Sequence, residues 1–105
     1  MNRYIIAPSA SKDLNEIIDY FADFNITRGE HFIVAFQKKC QNLINFPMMG
    51  RSYAEIRPGL RGVPLDKYII LYQVADNTLE ILRVVHGSRY LKNLFQSDEN
   101  SGYDC

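Results

Sequence analysis

The side chains able to act on a charged substrate or target are concentrated in the second half of the chain. Arg61 precedes its most apolar stretch, Arg83 lies in the stretch that follows, and His86, Arg89 and Tyr90 come directly after. These are the ingredients of a phosphodiester-cleaving site: His or Tyr moves a proton, and Arg neutralises the charge that develops on the phosphate. No carboxylate or lysine is obviously matched to them, so the general base is unassigned. A structural reading stands beside the chemical one. On the two-residue period of a strand, Arg83 shares a face with Leu79, Ile81 and Val85. A charge there has to be paired, reach outward or face an uncovered surface. Its expected partners are Glu80 on a neighbouring strand, Asp66 or a backbone carbonyl. His86, alone at a strand's end, reads more simply as a turn residue than as a catalyst. Tyr53, Tyr68 and Tyr90 offer aromatic surface to a partner or pack in the core with satisfied hydroxyls.

Other chemistries are excluded by pattern. Arg57–Pro58–Gly59–Leu60–Arg61–Gly62 is a turn flanked by arginines rather than a Gly-rich phosphate loop. There is no CxxC, no HExxH and no pair of carboxylates on an uncovered strand, and His31 and His86 are too few for a metal site. Neither metal nor cofactor is expected. Cys40 and Cys105 form no recognisable disulfide framework, which points to a reduced, cytoplasmic protein. With 105 residues, 47% apolar and 23% charged, the chain has the make-up of one folded domain. No apolar run approaches the ~20 residues that span a bilayer, and Met1–Tyr4 leads into a short apolar stretch unlike a signal peptide. Twelve basic side chains balance twelve acidic ones, which excludes a protein that coats nucleic acid by charge alone. The balance is uneven along the chain. Residues 50–92 carry seven basic against four acidic side chains, whereas 93–105 carry only Asp98, Glu99 and Asp104. A moderately cationic middle is thus followed by an acidic tail.

These residues must be positioned by a small set of elements. Arg3–Ala7 reads as a short strand stopped by Pro8, with Ser9 or Ser11 capping the helix that follows. Leu14, Ile17, Ile18, Phe21 and Phe24 or Asn25 fall on one helical face, with Asp13, Glu16, Asp19 and Asp23 elsewhere around it. Thr27-x-x-Glu30 has the form of a capping box opening a second helix, whose apolar face is Phe32, Ile33, Phe36, Cys40, Leu43 and Ile44. Pro47 and Gly50 end it, and the short turn between the helices makes them an antiparallel hairpin. The period then changes from 3.6 to 2. Leu60–Leu65 is a weak strand, edge-like or bulged because of Gly62 and Pro64. Tyr68–Val74 is apolar on both parities, as in a strand buried on both faces. Ala75–Asp76–Asn77 turns the chain into Leu79–Val85, and Ser88 caps a short C-terminal helix. The expected fold is α+β in two layers: an N-terminal strand, a helical hairpin and a three-stranded antiparallel sheet (βααβββ) with a short last helix. Residues 1–95 form the domain and 96–105 a polar tail. One sheet face needs cover from a partner chain or the C-terminal helix.

Several segments resemble a known family. Ala7–Pro8-x-Ala10-x-x-Asp13–Leu14-x-x-Ile17-x-x-Tyr20 is similar to the start of RelE/ParE-type toxins of bacterial type II toxin–antitoxin modules, and so is Leu43-x-x-Phe46–Pro47-x-x-Gly50–Arg51. Arg57–Pro58–Gly59–Leu60–Arg61, Tyr68-x-Ile70-x-Tyr72 and Ile81–Leu82–Arg83–Val84–Val85–His86–Gly87–Ser88–Arg89 resemble the ParE, or plasmid stabilisation, branch more than the RelE branch. The resemblance implies a growth-arresting toxin held inactive by a cognate antitoxin, as a homodimer or in a toxin–antitoxin hetero-oligomer. Its ParE branch implies inhibition of DNA gyrase; the alternative is RelE-like cleavage of mRNA on the ribosome. Gyrase inhibition requires a binding surface rather than a catalytic group, and the expected surface is Arg57, Arg61, Arg83, His86, Arg89 and Tyr90. A nuclease would instead use Arg61, Arg83, His86 and Tyr90.

Overall fold

The computed structural model describes residues 3–88 together with Leu91. The chain runs β1 (Tyr4–Ile6), α1 (Pro8–Ala22), α2 (Ile26–Asn45), β2 (Arg51–Ser52), β3 (Arg61–Leu65), β4 (Tyr68–Ala75) and β5 (Thr78–His86). The strands form one sheet in the order β1-β5-β4-β3-β2, with β1 parallel to β5 and the other pairs antiparallel. The α+β class and the order of the main elements follow the sequence reading, but the sheet has five strands rather than three. The N-terminal strand joins it at one edge, and the two-residue β2 adds the other. So short a strand as β2 has no period of its own to read; only pairing with β3 defines it.

The helix starts differ from the sequence reading. Pro8 does end β1, but it is also the first residue of α1, where its missing N–H would have had no partner. Ala7 stands at the cap in extended conformation without a side-chain bond, so neither Ser9 nor Ser11 caps. In α2 the cap is Asn25, whose Oδ1 accepts from the Thr27 amide at 3.0 Å. Thr27 therefore sits inside the helix and forms no capping box.

The helices bury Leu14, Ile17, Phe21, Phe32, Phe36, Cys40 and Leu43 against Val63, Leu65, Ile70, Tyr72, Leu79, Ile81 and Val84. Phe24, by contrast, is exposed. The opposite sheet face carries a smaller cluster of Leu60, Leu71, Leu82 and Val85, covered by Tyr53 and Ile56 from the 53–60 loop and by Leu91. That loop supplies much of the cover expected from a partner or a C-terminal helix. β4 is buried on both faces as its composition demands: Ile70 and Tyr72 meet the helices and Leu71 the loop side, all fully buried. A two-residue turn at Asp76 and Asn77, both at positive φ (53° and 60°), closes the β4–β5 hairpin. Of the two expectations for β3, the edge position holds, since only the two-residue β2 lies beyond it; the bulge is in β5, where Leu71 faces Arg83 while Tyr72 faces Ile81, leaving Leu82 as an extra residue. Of the segment expected to form the C-terminal helix, only Ser88, in a turn, and Leu91, in helical conformation, are described, and the tail at 96–105 lies outside the described residues. Among those described, no helix is long and apolar enough to cross a membrane.

Candidate functional site

The β5 bulge decides the role of Arg83. Beyond Ile81, β5 runs past the end of the three-residue β1, and its edge meets α1 instead of a strand. Asp13 of α1 fills that gap. Its Oδ2 accepts from Arg83 Nε at 2.8 Å and from the Val84 amide at 2.9 Å, and its Oδ1 accepts from Arg83 Nη2 at 3.1 Å. Asp13 is only 8% exposed, and this two-pronged pair is the geometry in which a buried carboxylate and guanidinium satisfy each other. Arg83 is therefore paired within the fold, with a partner other than those expected for it. Asp13 was missed as a buried residue, although its place was readable. It stands three residues after Ala10 and four before Ile17, on the stripe that α1 buries.

Arg61 is engaged as well. Its Nη1 donates to the carbonyls of Gly50 at 2.7 Å and Met48 at 3.3 Å. Tyr72 completes the clamp, donating its hydroxyl proton to the Pro47 carbonyl at 2.7 Å and accepting from the Gly50 amide at 3.1 Å. Burial pushes the Tyr72 phenol above its ordinary value despite the Gly50 amide and the Arg61 charge, which favour the anion. A Cβ at Gly50 would meet the Tyr72 hydroxyl and lie 2.8 Å from its ring, so the close approach requires glycine. Arg57 is exposed on the 53–60 loop, whose amides at Ile56 and Arg57 both donate to the Tyr53 carbonyl.

His86 is exposed at the end of β5, opposite Tyr68, with their rings edge-to-face and centroids 5.6 Å apart. The Ser88 amide donates into its Nδ1 at 3.2 Å, with the Ser88 hydroxyl 2.8 Å from the same nitrogen. The neutral ring thus carries its proton on Nε2 and offers a donor, not a base, to any ligand. Burial raises the Tyr68 phenol, helped by Tyr20 and Asp66. Arg89 and Tyr90 lie outside the described residues.

Among the described residues, the candidates Arg61 and His86 stand apart. Arg61 faces Tyr72 and His86 faces Tyr68, four residues apart along β4, or about 13 Å. Arg83 between them is bound to Asp13. Cys40 is buried beneath the helices and its thiol is pushed up to about 12 by desolvation, which removes it as a nucleophile. Among the described residues, no group of three or more His, Cys, Asp or Glu side chains is placed to hold a metal ion. The outer side of the helical hairpin bears an apolar groove of about 390 Å³ lined by Ile18, Ala22, Ile26, Gly29, Ile33 and Val34, with Glu30 at its margin.

The pattern of the ParE toxin of type II toxin–antitoxin systems (parDE) matches residues 4–91. Toxin ParE1 of Mycobacterium tuberculosis is 30% identical over 87 residues, covering 81% of this chain and 89% of that toxin. Toxin RelE2 of Caulobacter vibrioides is 30% identical over 80 residues, covering 76% of this chain and 89% of its own length. A solved structure described as a chromosomal ParDE TA system from P. aeruginosa shares the fold with a TM-score of 0.68 at 20% identity, over 82% of this chain and 96% of that one. With the match running through β1, the Asp13–Arg83 pair and the Arg61–Tyr72 clamp to the end of β5, the chain belongs to the ParE toxin family of type II toxin–antitoxin systems, within the RelE/ParE superfamily.

Proposed function

We propose that this toxin arrests growth by binding and inhibiting DNA gyrase and that a cognate antitoxin neutralises it. Membership of the ParE family is the observation that carries the reading. The geometry favours a binding surface over a cleavage site: Arg83 is paired with Asp13, Arg61 clamps the Met48–Gly50 backbone, and His86 presents a donor 13 Å or so from Arg61 along β4. The surface then consists of His86 and Arg57, with Arg89 and Tyr90 beside His86 in sequence. Arg83 and Arg61 act by holding the fold. The antitoxin segment is apolar, matching the hairpin groove and the exposed Phe24, Ile26 and Val34 around it, and acidic where it meets the cationic residues of the sheet end.

Supercoiling of relaxed plasmid by purified gyrase, with toxin titrated in and antitoxin added back, tests this. Inhibition with accumulated cleaved DNA, reversed by the antitoxin, is the expected result. Folded toxin that leaves supercoiling untouched would sink it. The second reading, ribosome-dependent mRNA cleavage, is favoured by the likeness to Toxin RelE2. It predicts that His86→Ala slows cleavage on programmed ribosomes far more than it weakens ribosome binding.

A further inference from the structure

Where the β3–β4 turn meets the junction of the two helices, two hollows share one wall. The polar one, about 390 Å³, is lined by Tyr20, Lys67, Tyr68 and His86. Its neighbour, about 320 Å³, is lined chiefly by Phe21, Phe32, Ala35 and Leu65, with His31 at its side. Arg28, Asp66 and Phe21 belong to both. Both histidines of the chain therefore open onto this one bipartite cleft. Arg28 is held in place by its position over the Phe21 ring, 5.4 Å from the centroid. Neither Arg28 nor Lys67 forms an ion pair among the described residues, and the Nε2–H of His86 is its available donor because Ser88 occupies Nδ1. Asp66, at φ 56° in the turn, is the one acidic group lining the cleft among the described residues.

We infer that this cleft binds a mononucleotide: a phosphate ester joined to an aromatic base. The polar hollow takes the phosphate between Arg28, Lys67 and His86, since two unpaired cations and a fixed N–H donor suit a compact dianion. The neighbouring hollow takes the base on its apolar lining, where Ala35 and the accessible edges of Phe21, Phe32 and Leu65 remove its flat surface from water without selecting among bases. Asp66 on the shared wall accepts from an amino or hydroxyl group of the ligand. That explains why a carboxylate stands in a cationic cleft, where a ligand of anionic charge alone would be repelled by it. Each hollow lies near the lower end of the volumes that small-ligand sites occupy, about 300–1,000 Å³, so together they suit a small two-part ligand.

The test is a titration of the isotopically labelled full chain, followed by amide shifts, with adenosine 5′-monophosphate, adenosine and inorganic phosphate as separate probes. The nucleotide should move the amides of Arg28, Lys67, Tyr68 and His86 and bind at least tenfold more tightly than either half. Lys67→Ala and Arg28→Ala, both surface changes, should each weaken it about tenfold while the spectrum stays dispersed. If Arg28→Ala loses dispersion, Arg28→Gln, which keeps the stem over Phe21, takes its place. No shift at these amides with millimolar nucleotide overturns the inference. So does phosphate binding as tightly as the nucleotide. An oligoglutamate peptide that produces the same shifts at equal affinity would reassign the cleft to acidic polypeptide and likewise overturn it.

Discussion

The two ends of β4 use polar groups in opposite ways. At the Tyr72 end, the phenol, the Arg61 guanidinium, the Gly50 amide and the carbonyls of Pro47, Met48 and Gly50 are joined to one another. At the Tyr68 end, Arg28, Lys67 and His86 face a cleft and bind no carboxylate among the described residues. The first arrangement fixes a loop after α2 without which β2 and β3 would have no defined entry. The second leaves charge in place for something else to meet. An arginine's chemistry is the same at both ends; what differs is whether the surrounding backbone can satisfy it. Asp13 and Arg83 belong with the first group, since they too are satisfied within the fold.

That contrast makes its largest prediction at the buried pair. Asp13→Ala should destabilise the protein by about 3–5 kcal/mol, measured by urea unfolding, because Arg83 and the Val84 amide lose their acceptor together. Arg83→Ala should cost far less in the Asp13→Ala background than alone; equal costs in the two backgrounds would separate the residues energetically. Gly50→Ala should lower stability by about 1–3 kcal/mol in thermal melts, since the new Cβ presses on Tyr72. Gly59→Ala is the control: its φ of 82° strains a side chain, but nothing lies within 4 Å, so the cost should be about 1 kcal/mol.

Alkaline pH should lower stability through the groups whose ionisation burial opposes, Cys40 and Tyr72 among them. Cys40 has an ordinary value of 9.0 and is raised to about 12 in the folded chain. The unfolded thiol therefore ionises first, so its contribution to stability is complete below pH 9.0 and is lost as pH rises toward about 12. Tyr72, raised from 10.0, adds a loss that begins above pH 10. A Cys40→Ala variant should show a shallower alkaline decline than the parent in denaturant titrations at fixed pH. The smallest effects on stability belong to the exposed side chains of the proposed target surface. His86→Ala and Arg57→Ala should stay within about 0.5 kcal/mol of the parent, yet raise the concentration for half-inhibition of gyrase about tenfold, as central contacts of an interface do. Unchanged inhibition in both variants would remove this surface from the toxic contact.

Much of the fold was legible because its signals are local. The helical stripes in α1 and α2, the two-sided apolar character of β4 and the Asp76–Asn77 turn each depend on periodicity or on backbone preference within a few residues. The order and class of the elements follow from these. β2 was not legible, being two residues long and paired only through β3. The N-caps were misread because several hydroxyl and amide side chains lay close together, and which of them reaches a free amide depends on where the chain enters the helix. The candidate site was legible as a set of residue types. The contacts of Arg61 and Arg83 were not, since their partners lie 11 and 70 residues away in sequence.

By itself the sequence determined two amphipathic helices, a central strand buried on both faces, an excess of positive charge between residues 50 and 92, and a family likeness spread over most of the chain. Tertiary structure alone decided that Arg83 reaches Asp13, that Arg61 and Tyr72 clamp the Pro47–Gly50 backbone, and that His31 and His86 open onto neighbouring hollows. The reason is physical. Hydrophobic period is read within one element, but a charge is satisfied by whatever the fold brings within about 3 Å of it. Here a one-residue bulge in β5 and an edge strand three residues long settled that outcome.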